Sequence, residues 1–189
     1  MDNPVRQSDS TDRIVHPTNR LHRASPGEFS KMTVVHPACL PVEKLLAECD
    51  VRHERRSGPG GQHRNKVSTA VVIVHRPTGL RAEANERRSQ AENHREVVRR
   101  LRVRLAIETR SAQVHVGPSE LWQSRISGGR LVIIPSHDDF PALLAEALDA
   151  IATADFDVAA AAELLSITSS QLMKFLKDEP AAWAGVNAA

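Results

Sequence analysis

The run Arg56-Ser57-Gly58-Pro59-Gly60-Gly61-Gln62-His63-Arg64-Asn65-Lys66 constrains this chain more than any other segment. Three glycines and a proline within four positions remove side-chain bulk where a backbone must approach another molecule closely. The run reads as an exposed tip, clasped on both sides by cations. Residues 50–55 read as a strand leading into it, and residues 68–75, dense in β-branched side chains, as a central strand. Pro77, Thr78 and Gly79 supply a turn, after which residues 80–84 pair back as the next strand. Gln62 at the tip can offer its backbone N–H, its side-chain carbonyl and its amide, but it cannot titrate. The tip is built to position and polarise, not to act as a general base.

Charge marks what the tip would meet. The formal net charge is only +2, yet residues 50–110 hold 15 Lys/Arg against 7 Asp/Glu, whereas residues 111–189 hold 4 against 10. The middle third carries the footprint expected for a polyphosphate partner. Every cation in it except Lys66 is arginine, which favours bidentate phosphate contact. A long helix follows the strands. Ser89 and Glu92 fit a capping box, Val97, Val98, Leu101 and Leu105 mark a buried face, and Arg95, Arg99 and Arg102 line another. A Glu96–Arg100 pair at helical spacing braces some of the cations, and the excess is expected to face RNA.

Outside this middle the signals are weaker. Residues 1–36 are rich in Pro, Ser, Asp, Asn and Arg and read as a disordered leader, with Met32 a candidate start. Around Pro41 a short helix is expected, with Val42, Leu45 and Leu46 as its apolar positions. Residues 111–136 read as a linker with a small hairpin at Gly128 and Gly129, and residues 131–134 as a strand. Residues 137–189 read as a small all-α module of unknown role. Its first helix covers 140–151, a second is capped by Asp157, and a third starts at Ser169 or Ser170 and ends before Pro180. The last pair resembles a helix-turn-helix, but Lys174 and Lys177 on an acidic background disfavour DNA. Cys39 and Cys49 read as reduced thiols, the nine histidines as solvent-facing or core residues, and no metal or cofactor is expected. No apolar stretch approaches the ~20 residues of a membrane span and no signal-peptide pattern opens the sequence, so a cytoplasmic location is expected.

The string Ser57-Gly58-Pro59-Gly60-Gly61-Gln62, with Asn65 and Lys66 after it and Arg88-Ser89-Gln90 opening the basic helix, resembles the catalytic domain of class I peptide chain release factors and their ribosome-rescue relatives. The resemblance covers roughly residues 50–107. It implies an α+β fold over residues 37–110, a small mixed or antiparallel sheet packed on a basic helix. It also implies an activity: hydrolysis of the peptidyl-tRNA ester in the peptidyl-transferase centre of the large ribosomal subunit. On that reading Gly60, Gly61 and Gln62 are catalytic. The glycines let the backbone reach the terminal ribose, the Gln62 N–H donates to the developing charge, and the Gln62 side chain shapes a pocket for water. Arg55, Arg56, Arg64, Lys66, Arg88, Arg95, Arg99 and Arg102 would hold phosphates of ribosomal RNA or of peptidyl-tRNA. The same resemblance makes Gln62 a candidate for N-methylation by a glutamine N-methyltransferase.

Two departures qualify the resemblance. Nothing before residue 50 reads as a stop-codon-reading domain, so codon-independent rescue of stalled ribosomes or large subunits is expected. The C-terminal part is acidic and helical, where compact rescue hydrolases usually carry a Lys/Arg-rich tail. The rival readings are a non-catalytic ribosome- or RNA-binding protein of the same fold, and a transcription regulator using the C-terminal helices.

Overall fold

The computed structural model describes residues 35–54, 70–111 and 116–188. Arg55, Arg56, Gly60, Gly61, Gln62, Arg64 and Lys66 lie outside the described residues, as does the leader before Val35. The described residues form an α+β structure. Strands β1 (Cys49–Glu54), β2 (Ala70–His75) and β3 (Arg81–Ala84) make an antiparallel sheet in the order β1-β2-β3. Its register runs from Cys49↔His75 to Glu54↔Ala70 on one side and from Val71↔Ala84 to Val74↔Arg81 on the other. As the middle strand, β2 is apolar along nearly its whole length (Ala-Val-Val-Ile-Val-His). The β2–β3 turn closes through Gly79, whose positive φ of 72° suits a residue without Cβ. His75 beneath it is a satisfied core histidine, bonding Thr78 Oγ1 at 2.8 Å and Glu48 Oε2 at 3.1 Å.

Helix α1 (Val42–Ala47) starts after Pro41, as its sequence anticipates, and Cys49 donates its thiol to Leu45 O at 3.1 Å. The long helix α2 (Gln90–Glu108) has Ser89 as N-cap, its hydroxyl accepting from Glu92 N at 3.4 Å. Val97, Val98, Leu101 and Leu105 are buried as expected, but so are Asn93, Val103 and Ala106 at other angles around the helix. The reason is that α2 is covered twice. One side lies on β2 and β3, and another packs against helix α4 (Phe140–Thr153) and a 3-10 turn at Pro37–Cys39.

Arginines tie this helix to both neighbours. Arg100 Nη1 donates to Glu83 O at 2.8 Å and Arg104 Nη1 to Arg81 O at 2.6 Å, two carbonyls on the edge strand β3. The rise of four helical residues, about 6 Å, nearly matches the ~6.6 Å between alternate strand residues. On the other side Arg102 donates Nε and Nη2 to Ala38 O and Nη1 to Asp138 O.

The stretch expected as a linker carries structure of its own. Helix α3 (Glu120–Ser124) seats Trp122, fully buried, with Nε1 donating to Leu165 O at 3.1 Å. Hairpin β4 (Ile126–Ser127) and β5 (Arg130–Leu131) turns on Gly128 and Gly129, both at positive φ. The strand expected over 131–134 stops at Leu131, because its partner strand has only two residues. Val132 and Ile134 beyond it are exposed.

Helices α4, α5 (Val158–Leu164), α6 (Ser169–Lys177) and α7 (Pro180–Asn187) complete the chain. Asp157 caps α5 and α6 starts at Ser169, both as anticipated, with Thr168 as the N-cap of α6. Pro180 both bars α6 from continuing and opens the unanticipated α7 at N1. Phe175 of α6 meets Trp122 edge-on at 5.9 Å and Phe140 at 5.3 Å. One buried cluster runs from Val71 and Ile73 through Leu101 and Leu105 to Leu144, Leu165 and Leu176. The C-terminal helices therefore do not stand apart, as the charge boundary near residue 110 implied; α4 packs directly against α2, with α5, α6 and α7 following in series on it and on one another.

This shared core gives a first expected outcome. Leu101→Ala on α2 and Leu144→Ala on α4 should each cost about 3 kcal/mol and lower a single calorimetric transition. Two separate transitions would mean two folding units. A second outcome concerns pH. His36 is buried, its Nδ1 accepting from Ala38 N at 3.1 Å and its Nε2 meeting Thr109 Oγ1 at 2.9 Å. Burial, with Arg110 acting the same way, lowers its pKa to about 4, against the Thr109 bond. A lowered folded value means stability present above the ordinary pKa near 6.5 and lost as pH falls toward 4, by up to about 3 kcal/mol. His36→Asn keeps an acceptor for Ala38 N but does not titrate, so the stability gap between wild type and variant should narrow steadily from pH 7 to pH 4 in urea titrations.

Candidate functional site

The chain leaves the sheet at Glu54 and returns at Ala70, and these two residues form the last pair of the β1–β2 register. Glu54 and Ala70 are thus held one strand spacing apart, about 4.8 Å. Gln62 lies eight residues from Glu54 and eight from Ala70. Whatever the segment does, this pair is its stem.

The N-terminus of α2 stands beside the stem. Side chains paired across antiparallel strands share a face, and Val71 and Ile73 belong to the core that α2 completes. His53, paired with Val71, therefore points to the α2 side, where Gln90 Nε2 lies 2.7 Å from its Nδ1. Arg52, paired with Val72, points to the other face. Before the helix, Asn93 pins the turn: its Oδ1 accepts from Arg87 N at 2.9 Å and its Nδ2 donates to Arg87 O at 3.0 Å. Asn93 is fully buried.

The arginines divide into two populations. Arg88 and Arg95 are exposed, and among the described residues no carboxylate pairs with either. Arg52 and Arg87 share that state and were missed in the sequence reading. The signal for Arg87 was its place next to Arg88; for Arg52 it was strand alternation. The remaining helix cations are engaged. Arg99 grips Glu96 through two bonds of 2.8 and 3.3 Å, and Arg100 joins Glu96 and Glu86. The Arg99 bond holds Glu96 below the ordinary carboxylate range; at Glu86 burial pulls upward, but the Arg100 bond and charge together with backbone donors outweigh it.

Arg102 corrects the expected arginine face. Its three bonds to Ala38 O and Asp138 O turn it inward, and burial lowers its pKa, so its first role is to fasten α2 to the turn at Pro37–Cys39 and to the start of α4. Both cysteines are free, and burial pushes the Cys49 thiol up to about 11.

Residues 44–127 match the RF-1 domain, a span running from α1 through the stem, α2 and α3 to β4. Over 86 residues the chain is 43% identical to peptide chain release factor 1 of Acidiphilium cryptum, covering 44% of this chain and 24% of that factor. It is 36% identical over 88 residues to the mitochondrial peptide chain release factor 1 of Homo sapiens, covering 47% and 20%. Against peptide chain release factor 1 of Thermobifida fusca it is 34% identical over 97 residues, covering 50% and 26%. The chain spans about a quarter of the length of the release factors it matches. The match extends beyond residues 50–107 in both directions, so the stem, the Asn93-pinned turn and the whole of α2 fall inside it.

The division of arginines predicts contrasting variants. Arg102→Ala leaves the part-buried Ala38 carbonyl without its donor, loses the bond to Asp138 O as well, and should cost about 2 kcal/mol, whereas Arg95→Ala should change stability by less than about 0.5 kcal/mol. Urea denaturation of the two variants checks this; equal losses would contradict it.

Proposed function

We propose that this chain, which carries an RF-1 domain over residues 44–127, releases nascent peptides by hydrolysing the peptidyl-tRNA ester in the peptidyl-transferase centre, without reading a codon. The observation that carries the reading is the stem. Glu54↔Ala70 closes the strand pair inside the matched domain, and the segment sprung from it contains Gly60, Gly61 and Gln62.

The chemistry follows from what these residues can supply. Gly60 and Gly61 allow close backbone approach to the terminal ribose. The Gln62 N–H donates to the oxyanion or to the leaving 3′-oxygen as the ester carbon becomes tetrahedral. The Gln62 amide admits water and excludes bulkier nucleophiles, and with no titratable group it abstracts no proton itself. Arg88 and Arg95, with Arg52 and Arg87 nearby in the fold, are free to meet phosphates of ribosomal RNA, and Arg55, Arg56, Arg64 and Lys66 add cations within the segment. Arg99 contributes less, since Glu96 already neutralises it, and Arg102 contributes through the placement of α2. Codon independence stands or falls with release from ribosomes that display no stop codon.

Release of labelled peptide tests this on three substrates: ribosomes stalled on truncated messages, ribosomes on full-length messages without a stop codon in place, and large subunits holding peptidyl-tRNA. Wild type should release peptide on at least one of them. Gln62→Ala should lose on the order of 100-fold in rate while still binding ribosomes. Release only at a stop codon would overturn codon independence, and binding without release would leave an RNA-binding protein of this fold.

A further inference from the structure

One side-chain contact joins the basic helix to the end of β1, and a second fixes the turn from which that helix starts. Gln90, the first residue of α2, reaches across 37 positions of sequence to His53, the last strand residue but one before the chain leaves the sheet. Both side chains are exposed, so their bond adds little to folding. Nor does the helix start require it, since Ser89 caps α2. Three residues further on, Asn93 holds the backbone of Arg87 from both its N–H and its carbonyl. The turn before α2 is thus pinned at one end to the helix interior, and the first helical residue is pinned to β1. Arg88 stands between the two anchor points with its guanidinium exposed.

We infer that Gln90, His53 and Asn93 form a positioning bracket, which fixes the angle between the end of β1 and the start of α2 and thereby the orientation of the stem pair Glu54↔Ala70 relative to the basic helix. The inference rests on the peptide-release reading. Eight residues separate Glu54 from Gln62, a reach of at most about 26 Å. In a reaction that depends on near-attack geometry a misplacement of about 1 Å already costs rate, so a small tilt between the stem and α2 bears on turnover. Binding, spread over many phosphate contacts, is far less sensitive to the same tilt. The bracket therefore acts on turnover more than on affinity.

The full-length chain carrying His53→Ala, Gln90→Ala, or both tests this. Each single variant should lower the maximal release rate on the order of tenfold, leave the factor concentration at half-maximal rate within about twofold, and leave the melting temperature unchanged. The double variant should be no slower than either single one, because both remove the same contact. Gln90→Glu, which can accept from His53 Nδ1–H, should recover most of the rate. Unchanged maximal rates, or rates that fall only in step with melting temperature, would overturn the bracket. A readout independent of release is tryptic cleavage after Arg55 and Arg56, which should speed up several-fold in Gln90→Ala. If wild type released no peptide on any ribosomal substrate, the functional reading would fall, and unchanged cleavage rates would separately overturn the bracket.

Discussion

The double burial of α2 is the constraint from which the rest of this structure follows. A helix lying on a sheet usually keeps one face for solvent, but here α4 and the turn at Pro37–Cys39 occupy part of that face as well. Polar side chains on such a helix must find partners inside the protein. Arginine meets the demand because its apolar stem runs along the packed surface while its fork reaches carbonyls beyond it. Arg100 and Arg104 close carbonyls on the open edge of β3, and Arg102 closes two on the opposite side. The edge strand is thereby covered by guanidinium groups instead of a fourth strand, which removes a site for edge-to-edge pairing.

Much of the local architecture was legible because its signals are local. Pro41, Ser89, Asp157 and the Gly128-Gly129 pair each act through bonds or dihedrals within a few residues, so their meaning is set by short sequence alone. Features whose cause lies far along the chain were not legible. Arg95, Arg99 and Arg102 recur at helical spacing whether they meet solvent, a carboxylate or a carbonyl, and the structure gives each a different one of these. Trp122 sits in a five-residue helix among polar neighbours, and the carbonyl that satisfies its indole is 43 positions away. The sign change in charge near residue 110 looked like a domain boundary. It separates the surfaces of two regions that share one interior, since acidic residues such as Asp157, Glu163 and Asp178 lie outward while alanines face α2 and its neighbours.

The same logic divides the candidate site. The glycine–glutamine tip announces itself in sequence because few other roles suit that composition. Its support does not: an amide meeting an imidazole 37 residues away leaves no periodic trace, and a buried asparagine inside a helix looks like an ordinary polar residue until its two bonds to Arg87 are seen. The structure thus sorts the basic region into cations that build the platform and cations that the platform presents. A lysine could not replace the first kind, because an ammonium cannot fork between the carbonyls of Ala38 and Asp138 as Arg102 does.

The closing pair Glu54↔Ala70 carries a consequence for how such a protein can change over time. With Glu54 paired to Ala70, the intervening chain closes a loop, and the entropy of closing a loop grows only with the logarithm of its length, roughly 0.6 kcal/mol per doubling. That entropic cost is therefore a weak constraint on how many residues separate the two strand ends. The register of β1 on β2 can persist through changes of length between them, because the pairs from Cys49↔His75 to Glu54↔Ala70 set it on their own.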